Sequence, residues 1–168
     1  MMLEVALEAD EEWDSSRSWE PLVRGAVEAA VAESAFPQLA SFERAVEISV
    51  LLTGDEEVRR LNAEWRDKDK PTNVLSFPML EPDDLRDAKV AGPELLLGDI
   101  VLARGVCAAE ARDKGVTIED HATHLVVHGT LHLLGYDHHG EGEAADMEMR
   151  EVRALHRLGI VNPYEVSA

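Results

Sequence analysis

Hydrophobic residues along this chain change their period several times, and each period predicts a different kind of element. Apolar and polar residues alternate from Leu3 to Leu7 and again from Val46 to Leu52, which is the period of a half-buried β-strand. Between Trp19 and Ala35 the apolar residues recur every three or four positions, which predicts an amphipathic helix with one buried face. The N-terminal part is therefore predicted to fold as strand, helix, strand.

Capping and turn residues locate the elements in the middle of the chain. Residues Thr53 to Glu56 form a capping-box pattern, and the stretch from Glu81 to Pro93 is acidic and contains two prolines. These signals predict a helix from the capping box to about Arg66, then a polar turn with Pro71 and a strand from Val74 to Met79. A mobile loop is predicted over the acidic stretch. A buried strand from Leu95 to Ala103, interrupted by Gly98-Asp99, is predicted to follow it.

The C-terminal half is predicted to be mostly helical. One helix is expected from Arg104 to Lys114, ended by Gly115. A second helix is expected to begin at another capping box, Thr117 to Asp120. The last helix is expected from Glu141 to Leu158, ended by Gly159. No internal repeat or linker divides the sequence. The pattern predicts an α+β protein in which a single domain, residues 1–168, holds a mostly four-stranded mixed sheet packed with helices.

Composition indicates a soluble protein. Of the 168 residues, 45% are hydrophobic and 30% are charged, which is typical of a globular domain. No apolar run approaches the roughly 20 residues that span a bilayer, and the N-terminal residues do not resemble a signal peptide. The single cysteine, Cys107, is expected to be a buried core thiol. We expect a cytoplasmic protein without membrane contact.

The net charge of −18 limits the possible partners. A strongly negative chain repels phosphate backbones at long range, which argues against a non-specific nucleic-acid coat protein. A nucleic-acid enzyme with a local basic groove stays compatible with this charge. Five basic residues fall between Arg59 and Lys70, although such a run is usually a solvated face.

Three histidines near the end of one predicted helix point to a metal site. His128 and His132 are four residues apart, so a helix places them on one face, one turn apart. Gly135 can adopt a left-handed conformation and turn the chain back, which would bring His138 in as a third ligand. Three nitrogen ligands with an open fourth position are typical of catalytic zinc.

Other interpretations of the histidines are weaker. They could be ordinary helix histidines, or the pair could be His124 and His128, although that register has no third ligand placed by a turn. His124 is better interpreted as lining the same helix face behind the ligands. A structural zinc is less favoured because no cysteine accompanies the histidines. We expect His121, His139 and His156 to be solvated or capping residues.

The spacing also matches the long zinc-protease pattern H-E-x-x-H-x-x-G-x-x-H, with one departure. The glutamate that follows the first histidine in those proteases is Gly129 here. That glutamate is the general base that activates water. The sequence therefore predicts the metal scaffold of such enzymes without the peptidase machinery.

Four segments in the same order resemble one known family. They are Arg66-x-Lys-Asp-Lys-Pro71, Asn73-Val-Leu-Ser-Phe-Pro78, Leu97-Gly-Asp99 and the His128-to-His138 motif. Together they resemble the YbeY family of bacterial zinc-dependent endoribonucleases, over about Leu61 to Tyr164. The resemblance implies a single-strand-specific endoribonuclease that acts in ribosomal RNA processing, including maturation of the 16S 3′ end, and in ribosome quality control.

The resemblance also implies a set of site residues. It implies that His128, His132 and His138 hold one zinc ion per chain, and that Arg66 and His128 take part in catalysis. An arginine beside a metal can bind a phosphate oxygen pair and stabilise developing charge. Asp137 could orient a histidine, or it could simply form the turn after Gly135.

Two further functions remain as alternatives at this point. One is a zinc hydrolase of another class, such as a peptidase or amidase, against which Gly129 counts. The other is a non-catalytic ribosome-assembly factor with a structural metal, whose acidic surface would suit basic ribosomal proteins. For the nuclease, attack by a zinc-activated water and attack by the 2′-hydroxyl of the RNA are both compatible with the sequence.

Overall fold

The computed structural model describes residues 3–10, 13, 19–42, 44–88, 93–137 and 140–161. Its four strands are β1 (Leu3–Ala9), β2 (Val46–Thr53), β3 (Val74–Pro78) and β4 (Leu95–Ala103). Its six α-helices are α1 (Trp19–Glu33), α2 (Asp55–Arg66), α3 (Pro82–Arg86), α4 (Arg104–Lys114), α5 (Ile118–Leu133) and α6 (Glu141–Arg157), and a 3-10 helix spans Pro37–Ser41.

The four strands form one mixed sheet, as the sequence predicts. Their order across the sheet is β1-β2-β4-β3. Strands β1, β2 and β4 are parallel to one another. Strand β3 pairs antiparallel with β4 and forms the other edge of the sheet. The α+β class with a four-stranded mixed sheet is thereby confirmed.

One face of the sheet carries the main core. Helix α1 packs against β1 and α5, and α5 packs against β3 and β4. Buried side chains between these layers include Val23, Ile48, Leu97 and Leu125. The opposite face is covered by α2 over β3 and β4, where Val58 of the helix packs on buried side chains of those strands. Cys107 is fully buried in the main core, as expected.

Strand β4 continues through the position where an interruption was expected. The pairing of β4 with β2 shifts at one point, because Glu47 faces Leu96 and the next residue, Ile48, faces Gly98. Leu97 is therefore the extra residue of a bulge. Gly98 has φ +142°, and a Cβ there would lie 2.3 Å from the carbonyl oxygen of Phe77. A glycine is therefore required for β3 and the end of α5 to approach this strand closely.

Two expectations about caps and loops are wrong. The residue that caps α2 is Gly54 and not Thr53, and it makes no side-chain cap bond. Asp55 instead accepts hydrogen bonds from the backbone N–H groups of Gly105 and Val106 at the start of α4. The acidic stretch expected to be a loop contains α3, because Glu81 and Asp84 cap its N-terminus reciprocally. Residues 89–92 of that stretch lie outside the described residues.

Candidate metal centre and cleft

Helix α5 is fixed at both ends by local signals in the sequence. At its start, the Thr117 side chain accepts a hydrogen bond from the Asp120 N–H over 3.1 Å. At its end, the N–H groups of Gly135 and Tyr136 donate to the carbonyls of His132 and Leu131, each over 3.0 Å. Gly135 has φ +98°. This pair of bonds is a Schellman motif, and it reverses the chain as the glycine predicts.

The same turn orients His132. The backbone carbonyl of Tyr136 lies 2.8 Å from Nδ1 of the His132 ring. Since a carbonyl oxygen can only accept, Nδ1 carries the proton and Nε2 presents a lone pair. That Nε2 faces Nε2 of His128 at 3.0 Å. The four-residue spacing on the helix has therefore brought the Nε2 atoms of the two imidazoles together.

Glu151 of α6 orients His128, and the sequence reasoning missed it. Its carboxylate is fully buried. One oxygen accepts a short hydrogen bond from Nδ1 of His128, and the other lies 3.3 Å from Nε2 of His124. A carboxylate on the far nitrogen of a metal-ligating histidine sets the tautomer and increases the basicity of the ligand. His124 thus lies behind the candidate ligands and contacts the same carboxylate.

The donor set fits a metal cation. Both rings have Nδ1 directed at an acceptor, so two neutral imidazoles would face each other with lone pairs only 3.0 Å apart. A cation held between the two Nε2 atoms converts this repulsion into ligation, and tetrahedral zinc accepts such nitrogens at about 2.0–2.1 Å. The expected third ligand, His138, lies outside the described residues, so its place as a ligand remains a prediction.

Another group of possible metal ligands lies elsewhere among the described residues. Carboxylate oxygens of Glu4, Glu47 and Glu94 are all within 4.8 Å of one another. Glu4 and Glu47 belong to β1 and β2, on the sheet face opposite the one that α5 covers. This cluster is therefore separate from the histidine centre.

Gly129, the position that departs from the protease pattern, faces the sheet. A Cβ at this position would lie 3.0 Å from Cγ2 of Ile100 in β4. The glycine is buried and lets α5 approach the strand. A glutamate here would enter the packed interface between α5 and β4, which agrees with the absence of a protease-type base.

Arg66 reaches the same cleft as the two histidines. It is the last residue of α2, and the chain turns there because Asp67 adopts a left-handed conformation with φ 57°. Its Nη2 donates to the Ser76 carbonyl over 2.7 Å, and its guanidinium lies 5.6 Å from the centre of the Phe77 ring. Arg66, Ser76, His128, His132 and Asp137 all line a cleft of about 650 Å³.

The basic cluster around Arg66 is smaller than the sequence indicates. Arg59 pairs with Glu56 at 2.6 Å and with Asp69 at 3.0 Å. Arg60 pairs with Glu57 and Glu64. Its hydrogen bond with Glu57 raises the pKa of Arg60 and lowers that of Glu57. Two of the five basic residues are thus neutralised by neighbours, which concentrates the available positive charge around Arg66, Lys68 and Lys70.

The expectation that His121 is solvated or capping is wrong. Its ring is buried and its Nε2 lies 2.7 Å from the Glu110 carboxylate, which also accepts from Nδ2 of Asn73 at 3.0 Å. Burial lowers the pKa of His121, and the Glu110 carboxylate opposes this only in part. The helix face that carries the candidate ligands therefore extends back to His121. His156 is exposed, and His139 lies outside the described residues.

Tyr136 connects the turn to two other helices. Its hydroxyl accepts a hydrogen bond from the Ala35 N–H over 2.8 Å, just beyond the end of α1. The guanidinium of Arg150, on α6, lies 4.9 Å from the centre of the Tyr136 ring and donates to the Glu33 carbonyl over 2.7 Å. The ends of α1 and α5 and the middle of α6 therefore meet beside His132.

Fold and site together define an α+β protein in which a pair of inward-facing histidines lies beside an arginine-lined cleft. The family model of Endoribonuclease YbeY matches residues 7–159. Two relatives named endoribonuclease YbeY come from Rhizorhabdus wittichii and Sphingopyxis alaskensis. The first is 49% identical over 99% of this chain and 99% of its own length. The second is 51% identical over 97% of this chain and 98% of its own length. The chain belongs to the YbeY family, which confirms the resemblance drawn from its motifs.

A solved structure supports the fold independently. The solution structure of TM1509 from Thermotoga maritima superposes with a TM-score of 0.56, at 23% sequence identity, over 93% of this chain and 92% of that one. Among the described helices, none is long and apolar enough to cross a membrane.

Proposed function

We propose that this chain is a zinc-dependent endoribonuclease that cuts single-stranded RNA during the maturation of ribosomal RNA. The observation that carries the proposal is the meeting of His128, His132 and Arg66 in one cleft. The family membership supports an RNA phosphodiester as the substrate, since the relatives are named endoribonucleases. We further propose that His138 completes a set of three zinc ligands, with one ion per chain, in a single domain of residues 1–168.

The residues of the cleft have separate tasks in this proposal. Bound zinc would lower the pKa of a water towards ~7 and polarise the scissile phosphate. Glu151 keeps a proton on Nδ1 of His128, so that Nε2 stays available to the ion. The Arg66 guanidinium has five N–H donors and uses one to bind the Ser76 carbonyl. The remaining donors can bind a phosphate oxygen pair. Attack by water and attack by the 2′-hydroxyl both fit this arrangement.

The cleft has a volume of about 650 Å³ and is lined by residues of β3 and of the end of α5. Its charge is mixed, since carboxylates of Glu81, Asp84 and Asp137 line it together with Arg66. Unpaired bases can splay out and present their edges to a protein, whereas the bases of a duplex are stacked and paired, so we propose a single strand as the substrate. Local positive charge at Arg66 and the metal would act against the overall repulsion of a chain with net charge −18.

The experiment compares RNA cleavage by zinc-loaded wild type with that of a chelated sample and of four variants. We expect His132→Ala and chelated wild type to lose cleavage, and Arg66→Glu to keep zinc but lose about 10²–10³-fold in turnover, as loss of a charge-stabilising donor does. Arg66→Lys should restore only part of the activity, because an ammonium cannot bind bidentately. The matched control is Arg60→Glu, which changes an exposed arginine of the same helix.

Two results would contradict this proposal. Full RNA cleavage by the chelated protein would exclude a metal-dependent reaction. Equal turnover of wild type and Arg66→Glu at matched zinc content would exclude Arg66 from substrate binding and catalysis. Elemental analysis of His138→Ala tests the ligand set separately, since unchanged zinc content would remove His138 from it.

A further inference from the structure

The sheet has a second, apolar groove on the face opposite the main core. Helix α2 covers only the β3 and β4 side of this face, and a groove of about 780 Å³ lies between the helix and the strands. Its floor is formed by side chains of all four strands, among them Ala6, Leu51, Phe77 and Val101. This groove holds none of the candidate metal ligands.

Large apolar side chains are exposed around this groove. Trp65, on α2, is 65% exposed and Met79 is 58% exposed, and both line the groove. The other two tryptophans, Trp13 and Trp19, are buried. Exposed aromatic residues beside an apolar groove are typical of surfaces that bind another molecule.

Carboxylates surround the apolar surface. Glu8 and Asp99 line the groove, while Glu4 and Glu47 face each other directly across β1 and β2. Like charges opposite each other on a sheet are destabilising. The hydrogen bond with Glu94 and the nearby negative charges raise the pKa of Glu47. A nearby cation is Arg66, whose guanidinium lies 5.6 Å from the centre of the Phe77 ring, while no described residue that lines the groove is basic.

The sign of this charge selects the occupant. An RNA strand would bring phosphates towards the carboxylates, and a second copy of the chain would add an equal number of the same carboxylates to the interface. A positively charged partner with apolar side chains satisfies both features at once. We propose that this groove, centred on Trp65, docks an amphipathic segment of a basic protein, with large apolar side chains in the groove and lysine or arginine on the carboxylate rim.

The groove adjoins the cleft and shares Met79 with it, but the inference is tested by peptide binding, which does not require nuclease activity. A suitable probe is a short synthetic peptide of alternating leucine and lysine. Two control peptides carry serine in place of leucine, or glutamate in place of lysine. Because Trp65 is the exposed tryptophan of the described chain, binding should shift tryptophan emission to shorter wavelength, and a fluorescein label on the peptide gives the affinity.

Matched variants distinguish docking in the groove from general attraction to an acidic protein. Trp65→Ala should weaken peptide binding about tenfold or more, as a truncated aromatic anchor does, and Glu4→Lys should weaken it and reduce its salt dependence. The controls Met149→Ala and Glu148→Lys change an exposed apolar residue and an exposed acidic residue on α6 and should leave the affinity unchanged. Circular dichroism verifies that each variant is folded.

Three outcomes would overturn the inference. One is equal loss of affinity in the groove variants and in the α6 controls. A second is equal binding of the leucine and serine peptides, which would mean that the apolar groove contributes nothing. The third is displacement of the peptide by oligouridylate together with a change in Trp65 emission, which would assign the groove to RNA.

Discussion

The carboxylate of Glu151 gives the sharpest test of how the metal centre is built. Its two oxygens accept hydrogen bonds from ring nitrogens of His128 and His124. In Glu151→Gln the side chain keeps its shape, but one oxygen becomes an NH2 group that can only donate. One of the two rings then meets a donor instead of an acceptor, and its tautomer is no longer fixed.

The magnitude follows from the role of this contact. Removing the outer hydrogen-bond partner of a ligating histidine typically costs about 10–100-fold in metal affinity. That range corresponds to about 1.4–2.7 kcal/mol at 1.36 kcal/mol for each tenfold change. Because Glu151 is fully buried, solvent cannot replace the lost acceptor, so we expect Glu151→Gln to show a loss within this range.

The assay is zinc competition against a chromogenic chelator, with wild type, Glu151→Gln and Glu148→Gln measured at the same pH. Glu148 is an exposed residue of the same helix, so its variant controls for charge. Urea unfolding of the metal-free proteins separates a change in affinity from a change in fold. The reasoning fails if folded Glu151→Gln binds zinc as tightly as wild type.

Three further predictions concern stability and reactivity. Gly129→Val should lower the free energy of unfolding by about 1–3 kcal/mol through overpacking, because a Cβ there already lies 3.0 Å from Ile100, and an unchanged urea midpoint would contradict this. Burial lowers the pKa of His121 below its ordinary 6.5, so the unfolded chain binds more protons below that pH and stability should fall as the solution is acidified. His121→Asn should flatten this dependence, whereas the exposed His156→Asn should retain it. Burial raises the pKa of Cys107 to about 12, so a thiol reagent should modify it only after denaturant is added, and rapid labelling of the native protein would show that the thiol is accessible.

The parts of the site that the sequence predicts are those fixed by local rules. His128 and His132 share a face because a helix repeats every 3.6 residues, and Gly135 ends that helix because glycine tolerates a positive φ. Both are visible within a few residues of sequence. The strand alternation in β1 and β2 is local in the same way, so their positions are predicted well.

The parts that the sequence does not predict depend on contacts between distant segments. Glu151 is 23 residues from His128, and the one signal in its own helix is its position on the buried stripe with Met147, Ala154 and Leu155, which does not reveal its partner. His121 is likewise buried by its partner Glu110 and by packing. The cap of α3 was missed because glutamate and aspartate replace the usual serine or threonine pattern.

Tyr136 places three demands on one position, and these demands bear on how the chain can change over time. Its carbonyl orients His132, its hydroxyl accepts from Ala35, and its ring lies under Arg150. A mutation at Tyr136 or Arg150 would therefore disturb both the junction of the helices and the orientation of His132. We expect substitutions at these positions to be tolerated mainly in compensating pairs, so that the residues beside His132 change together during evolution.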